Sequence, residues 1–133
     1  MKAVILAAGL GTRMGTNIPK PLVKVTGREI IFRTMKMLSE YVDEFIVVAG
    51  KNKDKLDSFL RGKFNYRMIE NPAPERGNGY SFYLTKGIAG EKFILVMGDH
   101  VYEVDFIKKA VRGEGLIGDA KPAYVDVDEA TKV

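Results

Sequence analysis

The chain of 133 residues carries a formal net charge of +4 and contains one histidine and no cysteine. Hydrophobic residues make up 46% of it and charged residues 29%, which is the ordinary composition of a soluble globular domain. The absence of cysteine excludes disulfides, a thiolate nucleophile and cysteine-ligated metal sites. Because the lysines are spread along the chain without a long basic run, the sequence does not favour nucleic-acid binding.

No apolar stretch approaches the roughly 18 residues that a membrane-spanning helix needs. The first apolar run, residues 5–10, is too short, and it lacks the basic flank and the cleavage site of a signal peptide. We therefore expect a cytoplasmic protein without a membrane segment in this chain. Its length is sufficient for one domain with a hydrophobic core.

Apolar runs and helical periodicity predict strands that alternate with helices. In chain order these are a strand at 3–6, a helix at 29–41, a strand at 45–48, a helix at 54–60, a strand at 66–69, a helix from 78 to about 86, a strand at 93–97 and a helix at 104–111. Two short strands are predicted at 115–117 and 123–125. This alternation is typical of βαβ units, so we predict an α/β fold, a Rossmann-like three-layer αβα domain with a mostly parallel sheet.

The first strand runs directly into a glycine-rich loop that carries basic residues. Gly9 and Gly11 lie in this loop with Arg13, and Lys20 follows between two prolines. Glycines let the backbone approach a ligand closely, and its free N–H groups can then contact anionic oxygens. Arginine and lysine add full positive charge, so the segment predicts a polyphosphate site.

Two familiar phosphate loops do not match this segment. The dinucleotide fingerprint needs a third glycine where Met14 stands, and the Walker loop needs a lysine where Thr16 follows Gly15. A plain glycine turn with two solvated bases is the structural alternative. The strand that leads into the loop favours the phosphate site over that alternative.

The stretches LAAGLGTRM and PKP resemble the signature of the nucleotidyltransferases that make NDP-sugars and related activated alcohols. Further along, ERGNGYS at 75–81 and FILVMGDHVY at 93–102 resemble the subgroup that makes CDP-inositol from CTP and inositol 1-phosphate. The resemblance implies that a substrate phosphate attacks the α-phosphorus of CTP in line and releases diphosphate, with Mg²⁺ as the cofactor. It implies catalytic roles for Arg13 and Lys20. The nucleotide-binding residues that it implies are Leu6, Ala7, Ala8, Gly9, Gly11, Thr12, Arg13, Lys20, Asn78 and Gly79.

Asp99 and His100 follow the fourth long strand. A carboxylate at the carboxyl end of a parallel strand is well placed to hold Mg²⁺, which prefers hard oxygen ligands, and the resemblance favours this role for Asp99. The alternative is a turn or capping aspartate. For His100 we expect a contact with the substrate, or with a residue that itself binds a ligand, rather than acid–base catalysis, because a phosphate monoester is already largely dianionic at neutral pH.

Three other features allow competing interpretations. Asn78 could contact the edge of a pyrimidine or cap a helix. Tyr80, Phe82 and Tyr83 could stack on nucleic-acid bases, but their helical setting favours core packing. The three lysines at 51, 53 and 55 are predicted to be a solvated helix start.

The resemblance covers essentially the whole chain, but such catalytic domains are longer. We therefore expect residues 1–133 to be the nucleotide-binding part of an incomplete nucleotidyltransferase domain, and a membrane-embedded synthase can be fused after this domain in the resembled proteins. Within the class, the alternative is another NTP with a sugar 1-phosphate. Outside the nucleotidyltransferases, the alternatives are a non-catalytic nucleotide-binding or regulatory module and a nicotinamide oxidoreductase. Met14 disfavours the oxidoreductase, because it stands where the dinucleotide fingerprint needs a glycine. The sequence does not determine the oligomeric state.

Overall fold

The computed structural model describes residues 1–9 and 17–116 of the chain. The described strands are β1 (Lys2–Ala7), β2 (Lys24–Val25), β3 (Arg28–Glu29), β4 (Glu44–Ala49), β5 (Tyr66–Glu70) and β6 (Phe93–Met97). The described helices are α1 (Ile30–Leu38), α2 (Lys53–Leu60), α3 (Gly77–Tyr83) and α4 (Val104–Arg112), and two 3₁₀ turns span Lys20–Leu22 and Pro74–Arg76. None of these helices combines the length and the apolar character needed to cross a bilayer.

Four strands form a parallel sheet in the order β5-β4-β1-β6. The central strand β1 pairs Ala7 with Ala49 of β4 and Leu6 with Met97 of β6. Because all four strands run in the same direction, their carboxyl ends meet at one edge of the sheet. This is the edge where ligands bind in open α/β sheets.

Both faces of the sheet are covered. On one face, buried residues of α1, α2 and α4 pack against alternate residues of β1, β4 and β6. On the other face, Phe82 and Ile88, from α3 and the turns after it, pack against the remaining residues of β1 and β4. The burial of α1 follows from its helical spacing, since Ile31, Met35 and Leu38 are all fully buried. The predicted three-layer α/β fold is confirmed.

The structure differs from the prediction at several element ends. The first helix ends at Leu38 instead of residue 41, and the third covers Gly77–Tyr83 before the chain continues in turns. The antiparallel pair of β2 and β3 was not predicted, since two-residue strands are too short to show alternation. Residues 115 and 116 form no strand. The rest of that predicted strand and the one at 123–125 lie outside the described residues.

Candidate active site

Lys20 lies in a stiff turn at the carboxyl edge of the sheet. It begins the 3₁₀ turn Lys20–Leu22, in which Pro21 is buried and the Leu22 N–H donates to the Pro19 carbonyl at 2.8 Å. The prolines restrict the backbone on both sides of the lysine. The Lys20 Nζ lies 3.8 Å from Oδ2 of Asp99. The structure therefore brings together the predicted phosphate-binding lysine and the predicted metal ligand.

Gly98 places Asp99 beside the end of β1. Its N–H donates to the Leu6 carbonyl at 2.8 Å, which extends the pairing of β6 with β1 by one residue. A Cβ at Gly98 would lie 3.0 Å from the Cβ of Ala7, which is tighter than an ordinary contact, so glycine suits this close approach of the two backbones. The short approach holds the Asp99 carboxylate next to the point where the glycine-rich loop leaves β1.

His100 contacts Asp99 directly. Its Nδ1 lies 2.9 Å from Oδ1 of Asp99, and its ring stacks on Tyr102 with the centroids 6.1 Å apart. This hydrogen bond raises the pKa of His100 above its ordinary value. The same hydrogen bond, together with the charges of His100 and Lys20, lowers the pKa of Asp99 despite partial burial. Asp99 is therefore ionised at neutral pH, as a ligand for a cation must be.

A cleft of about 200 Å³ lies between the end of β1, the turn before Lys20 and the start of α2. Ala8 and Gly9, both predicted nucleotide contacts, line it together with Lys20. Leu6 and Ala7 are buried in β1 and support this edge from below. Gly11, Thr12 and Arg13 lie outside the described residues, so their predicted roles stay predictions.

Two lysines that the sequence analysis assigned to a solvated helix start also line this cleft. Lys51 and Lys55 lie on its wall, and the Lys55 Nζ donates to the Asn17 carbonyl at 2.9 Å. Lys53 instead forms an ion pair with Glu70 at 3.7 Å. Lys51 and Lys55 are both exposed, so the predicted solvated helix start is confirmed for them, but their place beside this cleft was not predicted. No motif marked that place, because it depends on how the start of α2 packs beside the end of β1 and the turn before Lys20.

The segment that carries Asn78 and Gly79 is tied to the sheet by Asn71. This buried amide donates to the Ser81 hydroxyl at 2.8 Å and accepts from the Ala73 N–H at 2.8 Å. Asn78 and Gly79 are exposed within α3, and Arg76 occupies the position before the helix. The interpretation of Asn78 as a helix cap is therefore wrong. Its predicted contact with the nucleotide stays a prediction.

The aromatic residues of α3 do not all pack in the core. Phe82 packs against the sheet, whereas Tyr83 is 61% exposed. Tyr80 lies between Tyr83, with which it stacks, and the guanidinium of Arg76, which lies 4.0 Å from the Tyr80 ring centroid. Core packing was therefore the correct expectation for Phe82 and the wrong one for Tyr83.

Comparisons with known proteins agree with this geometry. The chain is 59% identical, over all of its length, to a bifunctional IPC transferase and DIPP synthase of Archaeoglobus fulgidus, and it covers 27% of that protein. It is 54% identical to the protein of the same name from Thermococcus kodakarensis, of which it covers 31%. The chain thus spans about a third or less of these relatives.

Two solved transferase structures also superpose on most of this chain. The inositol-1-phosphate CTP transferase from T. maritima superposes with a TM-score of 0.72 at 29% identity, over 82% of this chain and 47% of that one. The CTP:phosphocholine cytidylyltransferase of Streptococcus pneumoniae superposes with a TM-score of 0.68 at 31% identity, over 78% of this chain and 49% of that one. The family described as the MobA-like NTP transferase domain matches residues 3–114. With its parallel sheet, its cleft beside β1 and this match over most of its length, the chain belongs to the MobA-like NTP transferase domain family.

Proposed function

We propose that this chain binds CTP and transfers CMP to inositol 1-phosphate, releasing diphosphate and forming CDP-inositol. The observation that carries the proposal is the pairing of Lys20 with Asp99 at the carboxyl edge of the sheet, beside the cleft at Gly9. The names of the relatives that share the whole chain, and of the T. maritima structure, support CTP and inositol 1-phosphate as the substrates.

The reaction needs charge stabilisation more than proton transfer. The attacking phosphate of inositol 1-phosphate is largely dianionic at neutral pH, so no side chain has to activate it as a base. The leaving diphosphate is an anion, and Lys20 offsets negative charge where it develops. The ammonium is held by a turn that two prolines stiffen, so little reorganisation is needed when the nucleotide binds.

His100 acts in this scheme as a positioning residue. The hydrogen bond from the His100 ring fixes Oδ1 of Asp99, and the same ring stacks on Tyr102. The Tyr102 hydroxyl accepts from the Met97 N–H at 3.0 Å, so the stack is tied to the end of β6. The carboxylate is thereby held in one orientation, with Oδ2 on the side of Lys20.

The residues present fit Mg²⁺ bound mainly through the substrate. Asp99 offers an ionised oxygen, and the described part of the chain holds no cluster of three or more metal-ligating side chains. Mg²⁺ is commonly held by one or two carboxylates together with phosphate oxygens and water. When bound at Asp99, it would neutralise charge on the α-phosphate and on the leaving diphosphate.

A diphosphate-release assay tests the proposal. Each of the four NTPs is paired with inositol 1-phosphate and with a panel of sugar 1-phosphates, and CTP binding is measured in parallel by calorimetry. We expect release only with CTP and inositol 1-phosphate. Release with another NTP and a sugar 1-phosphate would instead identify an NDP-sugar pyrophosphorylase. CTP binding without release from any pair would identify a non-catalytic module.

A further inference from the structure

The start of α2 presents two lysines to the nucleotide cleft. Lys51 and Lys55 line the same cleft as Lys20, and the residue halfway between them, Lys53, is turned to Glu70 instead. Three lysines therefore line a cleft of about 200 Å³. Such a concentration of one charge in a concave site raises the local concentration of anions.

The charges of Lys51 and Lys55 meet no carboxylate among the described residues that line the cleft. The described residues that line the cleft include neither aspartate nor glutamate, and Asp99, the ion-pair partner of Lys20, is not among them. Like charges repel in such an arrangement, and a bound polyanion relieves that repulsion.

Hydrogen-bonding capacity remains available on the lysines. The Lys55 Nζ gives one hydrogen bond to the Asn17 carbonyl, and an ammonium has three N–H groups, so two are left. The bond also fixes the side chain at the cleft, which reduces the entropy lost when an anion binds. Asn52, the residue that precedes α2, also lines the cleft, so the N-terminal end of the helix, which carries partial positive charge, lies beside it.

We propose that Lys51 and Lys55 bind the β- and γ-phosphates of the nucleotide, and the diphosphate after the reaction. The inference rests on the proposed function in taking a nucleoside triphosphate as the ligand. Lys20, paired with Asp99, marks the end of the cleft at which the α-phosphate reacts. Lys51, just before α2, and Lys55, within it, line the same cleft and would meet the rest of a triphosphate chain. A single phosphate would reach Lys20 alone, whereas a triphosphate can meet all three ammonium groups.

Calorimetry with three ligands tests this proposal: CTP, CMP and inorganic triphosphate. The double variant Lys51→Met and Lys55→Met keeps most of each aliphatic stem and removes both charges. We expect it to lose at least about tenfold in affinity for CTP and for inorganic triphosphate, with CMP affinity changed less than about twofold. Lys53→Met is the matched control, because it removes a lysine of the same helix that does not line the cleft, and all three affinities should be unchanged.

The single variant Lys51→Met keeps the bond from Lys55 to Asn17 and should still weaken triphosphate binding selectively. An equal loss for CTP and CMP, or no loss for CTP in either variant, would overturn the proposal. The proposed function and the proposed phosphate subsite can be refuted independently of each other. If the double variant loses triphosphate affinity but no acceptor supports diphosphate release by the unmodified chain, the subsite stands and the proposed function does not. If the unmodified chain makes CDP-inositol and the variants bind CTP normally, the reverse holds.

Discussion

Replacing Gly98 with alanine tests the close packing that places Asp99. The added Cβ would lie 3.0 Å from the Ala7 Cβ, 3.2 Å from the Leu6 carbonyl oxygen and 3.3 Å from Cγ2 of Ile5. All three contacts belong to β1, which is buried between β4 and β6 and cannot retreat. Overpacking of this kind costs about 1–3 kcal/mol. In a domain of this size we expect Tm to fall by about 5–15 °C.

Thermal unfolding followed by circular dichroism measures this effect, and Gly79→Ala is the matched control. A Cβ at Gly79 meets no atom within 4 Å, and the position is in α3, so alanine should stabilise the helix by about 0.5–1 kcal/mol. The same substitution should therefore lower Tm at Gly98 and raise it slightly at Gly79. A Gly98→Ala variant that melts at or above the temperature of the unmodified chain would refute the argument from close packing.

Three further predictions concern Lys20, Asp99 and a tyrosine away from the cleft. Lys20→Met should lower CTP affinity at least about tenfold, or about 1.4 kcal/mol, because a charged phosphate contact is lost; unchanged affinity in calorimetry would contradict the assignment. Asp99→Asn keeps the size of the side chain and removes its charge, so Mg²⁺ should enhance CTP binding much less than in the unmodified chain, and binding without metal should change little. An identical dependence on Mg²⁺ in both proteins would make Asp99 a structural turn residue. Tyr66→Phe removes the hydroxyl that donates to Asp57 at 2.7 Å, the largest cause of the lowered pKa of Asp57, to which Arg61 also contributes. A carboxylate whose pKa is lower in the folded state than in the unfolded state stabilises the fold at pH values above the unfolded pKa, which is near 3.8. This contribution is lost as the pH falls through the folded pKa. The loss of stability in Tyr66→Phe, measured by urea unfolding, should therefore be present at pH 7 and shrink below about pH 4; a loss independent of pH would show that the charge of Asp57 is not involved.

Three separate segments of the chain meet at the carboxyl edge of the parallel sheet. The stiff turn at Lys20, the end of β6 at Asp99 and the start of α2 at Lys51 each come from a different βα connection. Their chemistry depends on being brought to the same edge, which parallel pairing with β1 and β4 achieves. This is how a small, all-parallel sheet can bring residues from separate connections into one candidate site.

Local sequence determined the helices, the longer strands and the turn at Lys20. The apolar run of β1, the helical stripe of α1 and the alternation of strands with helices follow from periodicity that neighbouring residues alone set up. The prolines beside Lys20 restrict their own backbone, so the turn there could be predicted from the sequence. Asp99 could be predicted because the end of a parallel strand is a position that topology fixes.

Tertiary packing decided what no local pattern encodes. Gly98 is required by contact with β1 and not by its own turn, and that contact exists only once β6 has paired. Asn78 sits inside α3 because the chain enters the helix after a 3₁₀ turn that Asn71 anchors from β5. Lys55 lies beside the cleft while Leu56 and Leu60 of α2 are buried against the sheet, whereas the sequence shows only a charged helix start. The neighbours of these side chains come from distant parts of the sequence, so only the packing of the whole fold determines their contacts.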